Sequence, residues 1–326
     1  MTGLERFNGL KALVVGDVMI DTYTKGVVER MSPEAPVPIV NAQSHFSRLG
    51  GAANVALNLK ALEAEPVIFS VVGKDHFAET LLQLMQQQGL DCHGILQSPG
   101  RKTTVKHRIF DGDRQVLRID EEDTFDLSDS EYRCLFDMIE NRLRKESFNV
   151  IILQDYNKGV LSEKMIQSII ALANKDGIPV VVDPKKKNLF TYQCVTLFKP
   201  NAKELREGLG VTAETPQALQ QAMLTLQQRL ACEYLMVTLS EQGVMILHNG
   251  QFHHISAVPR KIVDVSGAGD TVLSVAALCV VLGENAETIA TLSNIAGGLV
   301  CESAGVLPID KGRFQQEIQR LSIAHD

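Results

Sequence analysis

One short segment combines an acidic residue with two glycines directly before a strongly apolar stretch. Residues 264–271 read DVSGAGDT, and the run from Val272 to Leu282 that follows is mostly apolar. Glycines let backbone N–H groups crowd around one anion, and a helix that begins here would add the positive end of its dipole. Asp270 would then lie where a carboxylate can take the proton of an attacking hydroxyl. The segment predicts phosphoryl transfer, with a tight turn capped by an aspartate as the alternative.

A second candidate segment, residues 48–56, reads RLGGAANVA. The paired glycines Gly50 and Gly51 would let a substrate approach the backbone closely. Asn54, one turn into the helix that we expect to follow, offers both a donor and an acceptor, which suits sugar hydroxyls. A glycine-rich helix start that packs closely against its neighbours is an equally good interpretation of this segment alone.

The third candidate segment, residues 199–204, reads KPNAKE and directly follows an apolar run. Asn201 and Glu204 are three residues apart, so they face the same way if a helix begins there. Such a pair of oxygen ligands can hold Mg²⁺, often through water, beside nucleotide phosphates. The same spacing is typical of a capping box, which taken alone is the better interpretation.

Several other classes of site are disfavoured by the sequence. It contains no Gly-x-x-x-x-Gly-Lys-Ser/Thr loop, no Gly-x-Gly-x-x-Gly after the first apolar run and no catalytic-loop pattern of protein kinases. The eight histidines form no HExxH pattern, and the net charge of −7 argues against nucleic acid as a partner. The six cysteines include no CxxC pair, so we expect buried, reduced thiols.

The elements that must position these segments alternate along the chain. Apolar runs predict strands at 12–15, 67–72, 150–153, 179–182, 195–198 and 234–238. Amphipathic patterns predict helices at 50–64, 76–88, 129–145, 162–175 and 215–231, then three more after residue 267, the last near 312–323. This alternation predicts an α/β fold with a mostly parallel sheet covered on both faces.

Two stretches depart from the alternation. Residues 23–42 carry three prolines among β-branched residues, and residues 103–119 alternate apolar and polar side chains around the turn at Asp111-Gly112. We expect a small β-lid, built from segments of about 18–43 and 101–120, inserted into one domain that covers residues 1–326.

The three segments, in this order and spacing, resemble the PfkB (ribokinase-like) family of carbohydrate kinases over nearly the whole chain. The resemblance implies an ATP-dependent sugar kinase with a central, mostly parallel sheet between helices and a β-lid over the sugar. Residues 16–21 (GDVMID) and 31–38 (MSPEAPVP) are similar to members that phosphorylate D-glycero-β-D-manno-heptose 7-phosphate at its 1-hydroxyl, on the way to ADP-heptose and lipopolysaccharide. Alternatives are another sugar, sugar phosphate or nucleoside, or a non-catalytic sensor.

The resemblance also implies a role for each site residue. Asp270 would deprotonate the sugar hydroxyl, and Gly267, Ala268 and Gly269 would form the anion hole. Sugar hydroxyls would contact Asp17, Asp21, Gly50, Gly51 and Asn54. Candidates for the sugar phosphate are Arg108, Arg118 and Lys185, whereas Lys106 and Arg114 are expected to be solvated neighbours. Magnesium-bound ATP would be held by Asn201 and Glu204, and the rest of the nucleotide would lie along Thr238, Ser240, Gly243, Asp264 and Asn294.

The implied cofactors are ATP and Mg²⁺, and relatives often place a monovalent cation where residues 302–305 lie here. The expected partners are a sugar phosphate and ATP, a second copy bound through the β-lid, and a separate adenylyltransferase acting downstream. We expect no adenylyltransferase domain in this chain, because a His-x-Gly-His signature is absent from it. A cytoplasmic location without membrane contact is expected, because the beginning of the sequence lacks a signal-peptide pattern.

Overall fold

The computed structural model describes residues 3–323, with side chains described as far as Arg320. The strands are β1 Lys11–Gly16, β2 Val18–Met31, β3 Pro38–Gly51, β4 Glu65–Gly73, β5 Ile95–Ser98, β6 Val105–Asp111, β7 Arg114–Glu121, β8 Val150–Gln154, β9 Val180–Asp183, β10 Leu197–Phe198, β11 Tyr234–Thr238, β12 Val244–His248 and β13 Gln251–Ile255. The helices are α1 Ala52–Ala61, α2 His76–Gln87, α3 Asp129–Lys145, α4 Glu163–Asp176, α5 Ala202–Leu209, α6 Pro216–Leu230, α7 Ala268–Val281, α8 Ala286–Val300 and α9 Lys311–Ile323.

Nine strands form one large sheet in the order β13-β12-β11-β10-β9-β8-β1-β4-β5. The strands from β11 to β5 in this order pair in parallel, and β12 and β13 add an antiparallel edge. Every residue of β8 and β9 is buried, because helices cover both faces of the sheet. The expected fold class, α/β with a central and mostly parallel sheet, is confirmed.

Two apolar cores lie on opposite faces of this sheet. One contains the inward faces of α1, α7 and α8, including Leu59, Leu273 and Ile295. The other contains those of α3, α4 and α6. The apolar run after Asp270 becomes α7, whose side chains from Asp270 to Cys279 are all buried. Within the described residues, no helix is both long and apolar enough to cross a bilayer.

The lid is a separate four-stranded sheet in the order β3-β2-β6-β7. Strands β2 and β3 form a long hairpin whose register runs from Val18 opposite Gly51 to Met31 opposite Pro38. The lid strand β3 therefore extends to Gly51, well beyond the predicted boundary near residue 43. A helix over 50–64 was also expected, but Gly50 and Gly51 end the strand, and α1 begins only at Ala52.

The predicted strands and the predicted burial of all cysteines were each wrong in part. The strand predicted at 195–198 is only two residues long, and the antiparallel strands β12 and β13 were not predicted. Cys134 and Cys194 are exposed, whereas Cys232, Cys279 and Cys301 are buried; all are free thiols. Cys134 lies on the outer side of α3, where an isolated small side chain carries no periodic signal.

Candidate active site

Polar residues gather where parallel strands of the large sheet end. Asp17 follows β1, Gln154 ends β8, Asp183 ends β9 and Lys199 follows β10. Because the carboxyl ends of neighbouring parallel strands share one edge, these side chains meet there. The amino end of α7, which carries Asp270, lies at the same edge, since Asp270 contacts Gln154.

Asp270 is 2% exposed, and three side chains donate hydrogen bonds to it. Asn54 Nδ2 donates to Oδ2 at 2.8 Å. The Tyr156 hydroxyl and Gln154 Nε2 donate to Oδ1 at 2.8 and 3.2 Å. Two donors thus occupy Oδ1 but only one occupies Oδ2, so Oδ2 is the oxygen with room for a further proton.

Burial raises the pKa of Asp270 to about 7. The hydrogen bonds from Asn54 and Tyr156 lower this pKa, the negative charge of Asp183 raises it, and Lys199 lowers it. A carboxyl group whose pKa lies near neutrality can both take up and release a proton at physiological pH, as a general base requires.

Asp183 and Lys199 form a buried ion pair beside Asp270. Lys199 Nζ lies 3.0 Å from Asp183 Oδ2, and the two side chains are 3% and 7% exposed. Gln154 Nε2 also donates to Asp183 Oδ2, at 3.3 Å. A Cβ atom built on Gly269 would lie 3.7 Å from Asp183 Oδ2 and 3.8 Å from Lys199 Nζ. Both members of this ion pair therefore adjoin the glycine loop that precedes α7.

The glycine loop has the geometry of an anion-binding turn. Gly267 has φ +82°, a conformation that favours glycine, and it directly precedes the first residue of α7. The Ala268 N–H, the first of α7, donates to the Val265 carbonyl at 3.3 Å, and the positive end of the helix dipole faces this loop. Gly267 also packs against Asn54, the residue that donates to Asp270 Oδ2. A Cβ atom on Gly267 would lie 2.8 Å from Asn54 Nδ2.

We therefore expect Gly267→Ala to lower kcat by roughly tenfold or more, because the new methyl group would push Asn54 away from Asp270. Gly283→Ala is the matched control. Gly283 also has a positive φ, +67°, but no atom lies within 4 Å of its Cβ position. Steady-state kinetics on both variants would test this prediction, and equal losses in the two would contradict it.

The lid supplies the next part of the site. Asp21 is buried on β2 and forms an ion pair with Arg108 of β6, whose guanidinium also lies over the Tyr23 ring. Burial raises the pKa of Asp21, against the lowering effect of Arg108. Gly50 must be a glycine here, because a Cβ atom would lie 2.3 Å from Asp21 Oδ2. Asp21, Arg108 and Gly50 thus lie together above the base.

Asp17 has a different environment from the one that we predicted. Its carboxylate accepts hydrogen bonds from the backbone N–H groups of Tyr156, Lys158 and Val160 at 2.8, 3.0 and 3.2 Å. Burial nevertheless raises the pKa of Asp17, and burial together with the charge of Asp17 raises the pKa of Asp155 to about 7. These contacts favour a role in holding the loop 155–160 over direct contact with a sugar hydroxyl.

Asn201 and Glu204 form the capping box that their spacing allows. Asn201 Oδ1 accepts from the Glu204 N–H at 2.8 Å, and Glu204 Oε2 accepts from the Asn201 N–H at 2.9 Å. Glu204 Oε1 forms an ion pair with Lys185, which also lies 5.3 Å from the centre of the Tyr156 ring. All three of these side-chain oxygens thus have a partner, and within the described residues no group of three or more His, Cys, Asp or Glu side chains is arranged to hold a metal ion. A role of Asn201 and Glu204 in holding Mg²⁺ beside nucleotide phosphates stays a prediction.

The remaining predicted nucleotide residues lie on the same side of the sheet. Thr238 ends β11 and forms a bridge to Asn201. Ser240 and Gly243 form the turn before β12, and a Cβ atom on Gly243 would lie 2.0 Å from the Ile255 carbonyl oxygen.

Asn294 of α8 donates to the Ser256 carbonyl at 2.9 Å. Asp264 accepts from the N–H groups of Ser266 and Gly305, which help to keep its pKa low.

Two candidates for the sugar phosphate, Arg118 and Lys185, each form an ion pair with a carboxylate, and their role stays a prediction. Arg118 lies on the outer lid strand β7, is half exposed and forms an ion pair with Asp120 at 2.9 Å. Lys185 lies beside Glu204, on the nucleotide side. Lys106, expected to be solvated, is instead largely covered, with a side chain that is 15% exposed.

Several residues of the site were missed from the sequence. Gln154, Tyr156 and Asp183 have no role among the sequence predictions, and Lys199 appears there only as the first residue of the segment 199–204. Each stands at or just after the end of a buried strand that the apolar pattern had located. Polar residues directly after such strands were the available signal.

The fold is shared with solved sugar kinases. Phosphofructokinase-2 from Escherichia coli in complex with potassium matches with a TM-score of 0.79 at 18% identity, covering 96% of this chain and 99% of that one. Ribokinase from Arabidopsis thaliana, complexed with ribose and ATP, matches with a TM-score of 0.74 at 18% identity, covering 94% and 99%. The fold, with its large sheet and its lid, is therefore ribokinase-like.

The sequence comparisons are more specific. The family model described as pfkB family carbohydrate kinase matches residues 10–311, so the chain belongs to this family. Relatives named bifunctional protein HldE include those of Methylobacillus flagellatus, 43% identical over 94% of this chain, and Syntrophotalea carbinolica, 36% identical over 99%. The chain spans 63% and 66% of the length of these two relatives. Family membership confirms the prediction of an ATP-dependent sugar kinase.

Proposed function

We propose that this chain transfers the γ-phosphoryl group of ATP to the 1-hydroxyl of D-glycero-β-D-manno-heptose 7-phosphate and so forms the 1,7-bisphosphate. The observation that carries the kinase chemistry is Asp270, buried beside the glycine loop with one oxygen open to a further proton. The heptose is supported by the pattern of residues 16–21 and 31–38 and by the relatives named HldE.

In the proposed mechanism the sugar hydroxyl lies against Asp270 Oδ2, which takes its proton as the sugar oxygen bonds to the γ-phosphorus of ATP. The bond from this phosphorus to the oxygen of ADP breaks, and ADP leaves. Asn54, Tyr156 and Gln154 hold the carboxylate in the orientation for this transfer. The N–H groups of the Gly267–Gly269 loop would stabilise the negative charge that develops on the phosphoryl oxygens, and the ammonium group of Lys199 lies beside this loop in its ion pair with Asp183. When bound, Mg²⁺ neutralises nucleotide phosphate charge, and Asn201, Glu204 and Asp183 are the residues that would organise it.

The nucleotide would extend from this point past Thr238, Ser240 and Gly243 towards Asn294 and Asp264. A monovalent cation near residues 302–305 also belongs to the proposal, supported by the potassium complex of the structural relative. Asp264 and Arg48 already contact the backbone there. Asp21, Gly50, Gly51 and Asn54 would contact sugar hydroxyls.

The lid also supports pairing with a second copy. Its exposed apolar side chains are Val27, Met31, Val37, Leu117 and Ile119. A homodimer through this sheet would cover them, and sedimentation velocity of the chain and of a Leu117→Asp variant would test it. A monomer at micromolar concentration would contradict the homodimer.

Adenylylation of the product by a separate protein stays a prediction from the sequence.

A substrate panel tests the proposed function. ADP release would be measured with heptose 7-phosphate, fructose 6-phosphate, ribose and adenosine, each with and without Mg²⁺. We expect the highest kcat/KM with heptose 7-phosphate. Turnover of another sugar with none of heptose 7-phosphate would overturn the substrate but keep the kinase. No ADP release with any sugar, together with binding of ATP, would favour a sensor.

A further inference from the structure

Two side chains of the lid contact the chain segment that follows α8. Arg48 of β3 donates hydrogen bonds from Nη1 to the carbonyl oxygens of Ala304 and Val306, at 2.7 and 3.3 Å. Tyr23 of β2, which is 2% exposed, accepts a hydrogen bond from the Val306 N–H at 3.2 Å. We call Arg48 and Tyr23 the lid latch, and residues 304–306 the latch loop. The lid latch thus binds both backbone groups of Val306, its N–H and its carbonyl.

The guanidinium group of Arg48 is held in place within the lid. Its central carbon lies 5.6 Å from the centre of the Tyr23 ring and 5.2 Å from that of Phe46, and these two rings stack on each other. Arg48 is directly opposite Asp21 in the β2–β3 pairing, so the two side chains share one face of the lid. Gly305 has φ +74°, and a Cβ atom there would lie 2.7 Å from Arg48 Nη1. A glycine at this position therefore lets the guanidinium group approach the backbone closely.

The latch loop also contacts the glycine loop before α7. A Cβ atom on Gly267 would lie 3.2 Å from Val306 Cγ1. The Gly305 N–H donates to Asp264 Oδ2 at 2.8 Å, and the Ser266 N–H donates to Asp264 Oδ1 at 2.9 Å. The Asp264 carboxylate thus connects the latch loop to the residue that precedes Gly267. A shift of the latch loop would therefore act on the glycine loop through both contacts.

We propose that Arg48 is a positioning residue for phosphoryl transfer, which holds the latch loop so that the Gly267–Gly269 loop keeps its anion-binding geometry. A charged donor suits this role, because its hydrogen bonds are stronger than those of a neutral donor. Tyr23 holds the same loop from the neighbouring strand. The lid then contributes to the phosphoryl-transfer step as well as covering the sugar. This inference rests on the proposed role of the Gly267–Gly269 loop, but on no particular sugar.

The first test compares kcat with the two KM values. Arg48→Met is expected to lower kcat about tenfold or more, because small misalignments of reacting groups have large effects on rate. The KM values for ATP and for the sugar should stay within about twofold, since Arg48 contacts neither substrate in this role. The assays would use a sugar that the wild-type chain turns over, with potassium chloride in excess so that a cation site near residues 302–305 is saturated.

Arg229→Met is the matched control and should keep wild-type kcat. The guanidinium group of Arg229 also lies over an aromatic ring, that of Phe190. Arg229 belongs to α6, which covers the face of the large sheet opposite to α7. The control thus loses a similar contact at a distance from the glycine loop.

Chemical rescue separates positioning from folding. Arg48→Ala removes the side chain beyond Cβ, and a free guanidinium ion can donate to the same two carbonyl oxygens. We expect guanidinium chloride, well below the concentrations that unfold the chain, to raise the kcat of Arg48→Ala several-fold. Sodium chloride at the same ionic strength should have no such effect. Thermal unfolding of each variant would verify that it is folded.

Tyr23→Phe tests the latch loop from the second strand. It removes the acceptor of the Val306 N–H and should also lower kcat without raising either KM. Because both side chains act through one loop, the double variant with Arg48→Met should lose less than the product of the two single losses. Independent, multiplying losses would overturn the latch loop as the connection.

Three results would overturn the inference as a whole. The first is an unchanged kcat in Arg48→Met. The second is a raised KM for either substrate with an unchanged kcat, which would show that Arg48 binds that substrate directly. The third is a loss of kcat in Arg48→Ala that guanidinium does not restore, together with a lowered unfolding temperature, which would show a role in stability alone.

Failure of the proposed function looks different, because the wild-type chain would then not turn over heptose 7-phosphate. The same variants would be measured on whichever sugar is turned over, and the inference would stand or fall there. If Gly267→Ala keeps wild-type kcat, the proposed role of the glycine loop fails and the inference falls with it. If no sugar is turned over, the inference falls together with the proposed function.

Discussion

Asp270→Asn is expected to lower kcat by at least about 10²-fold, the usual effect of losing a positioned general base. The asparagine retains one oxygen for Tyr156 and Gln154, and Asn54 can turn its amide to present an oxygen to the new NH₂ group. The fold and the affinity for ATP should therefore survive. Turnover would be followed by coupled release of ADP, and ATP affinity by calorimetry.

Asp137→Asn, on the exposed side of α3, is the control for this variant and should keep wild-type kcat. Near-normal turnover in Asp270→Asn would remove Asp270 from the mechanism. A loss of ATP binding equal to the loss of turnover would show a structural role instead.

The dependence of kcat/KM on pH provides a second test of Asp270 as the general base. The base acts only when deprotonated, and the pKa of Asp270 in the free protein is about 7. We expect kcat/KM to fall about tenfold per pH unit below that value and to level off above it. Tyr156→Phe removes a hydrogen bond that lowers this pKa, so the acid limb should move to higher pH. A profile that is flat between pH 5.5 and 7 would contradict the assignment.

Asp17→Ala is expected to lower the free energy of unfolding by about 3 kcal/mol, because three backbone N–H groups lose their acceptor at a buried position, at about 1 kcal/mol or more each. The kcat should fall too, since the freed loop carries Tyr156. Asp17→Asn, which keeps one acceptor oxygen, should lose less stability than the alanine variant. Denaturant unfolding and kinetics on the same samples would measure both effects.

The exposed Asp137→Ala serves as the stability control and should change the free energy of unfolding by less than about 0.5 kcal/mol. The outcome also separates two roles for Asp17. If its carboxylate contacts the sugar, Asp17→Asn would raise the KM for the sugar with little change in stability. Lost stability with an unchanged sugar KM supports the role in holding the loop.

Local patterns were enough to predict part of this architecture. The buried strands β8 and β9 and the glycine loop before α7 are recognisable from a few consecutive residues. The predicted helix 162–175 agrees with α4 to within one residue at each end, because Ser162 caps its start and Gly177 follows its end. The antiparallel edge strands carry a weaker signal, since β13 is only partly buried.

The contacts that complete the candidate site could not be derived from local patterns. Asp17 meets the backbone of Tyr156 across 139 residues of sequence, and nothing in either segment indicates the other. The pairing of Lys185 with Glu204 depends likewise on how β9 and β10 lie side by side. The capping box of Asn201 and Glu204 shows the opposite case, because a local rule was sufficient to predict their contact.

The way in which the lid joins the main sheet affects how it can move. Strand β2 begins one residue after Asp17, and β3 passes into α1 three residues before Asn54. Asp17 and Asn54, the residues that hold the loop and the base, thus lie beside the two ends of the β2–β3 hairpin, which is one half of the lid. Since β2 begins directly after Asp17 and β3 ends three residues before Asn54, tilting of the lid would also move Asp17 and Asn54. Closing over a sugar and aligning the carboxylate of Asp270 are then a single mechanical event.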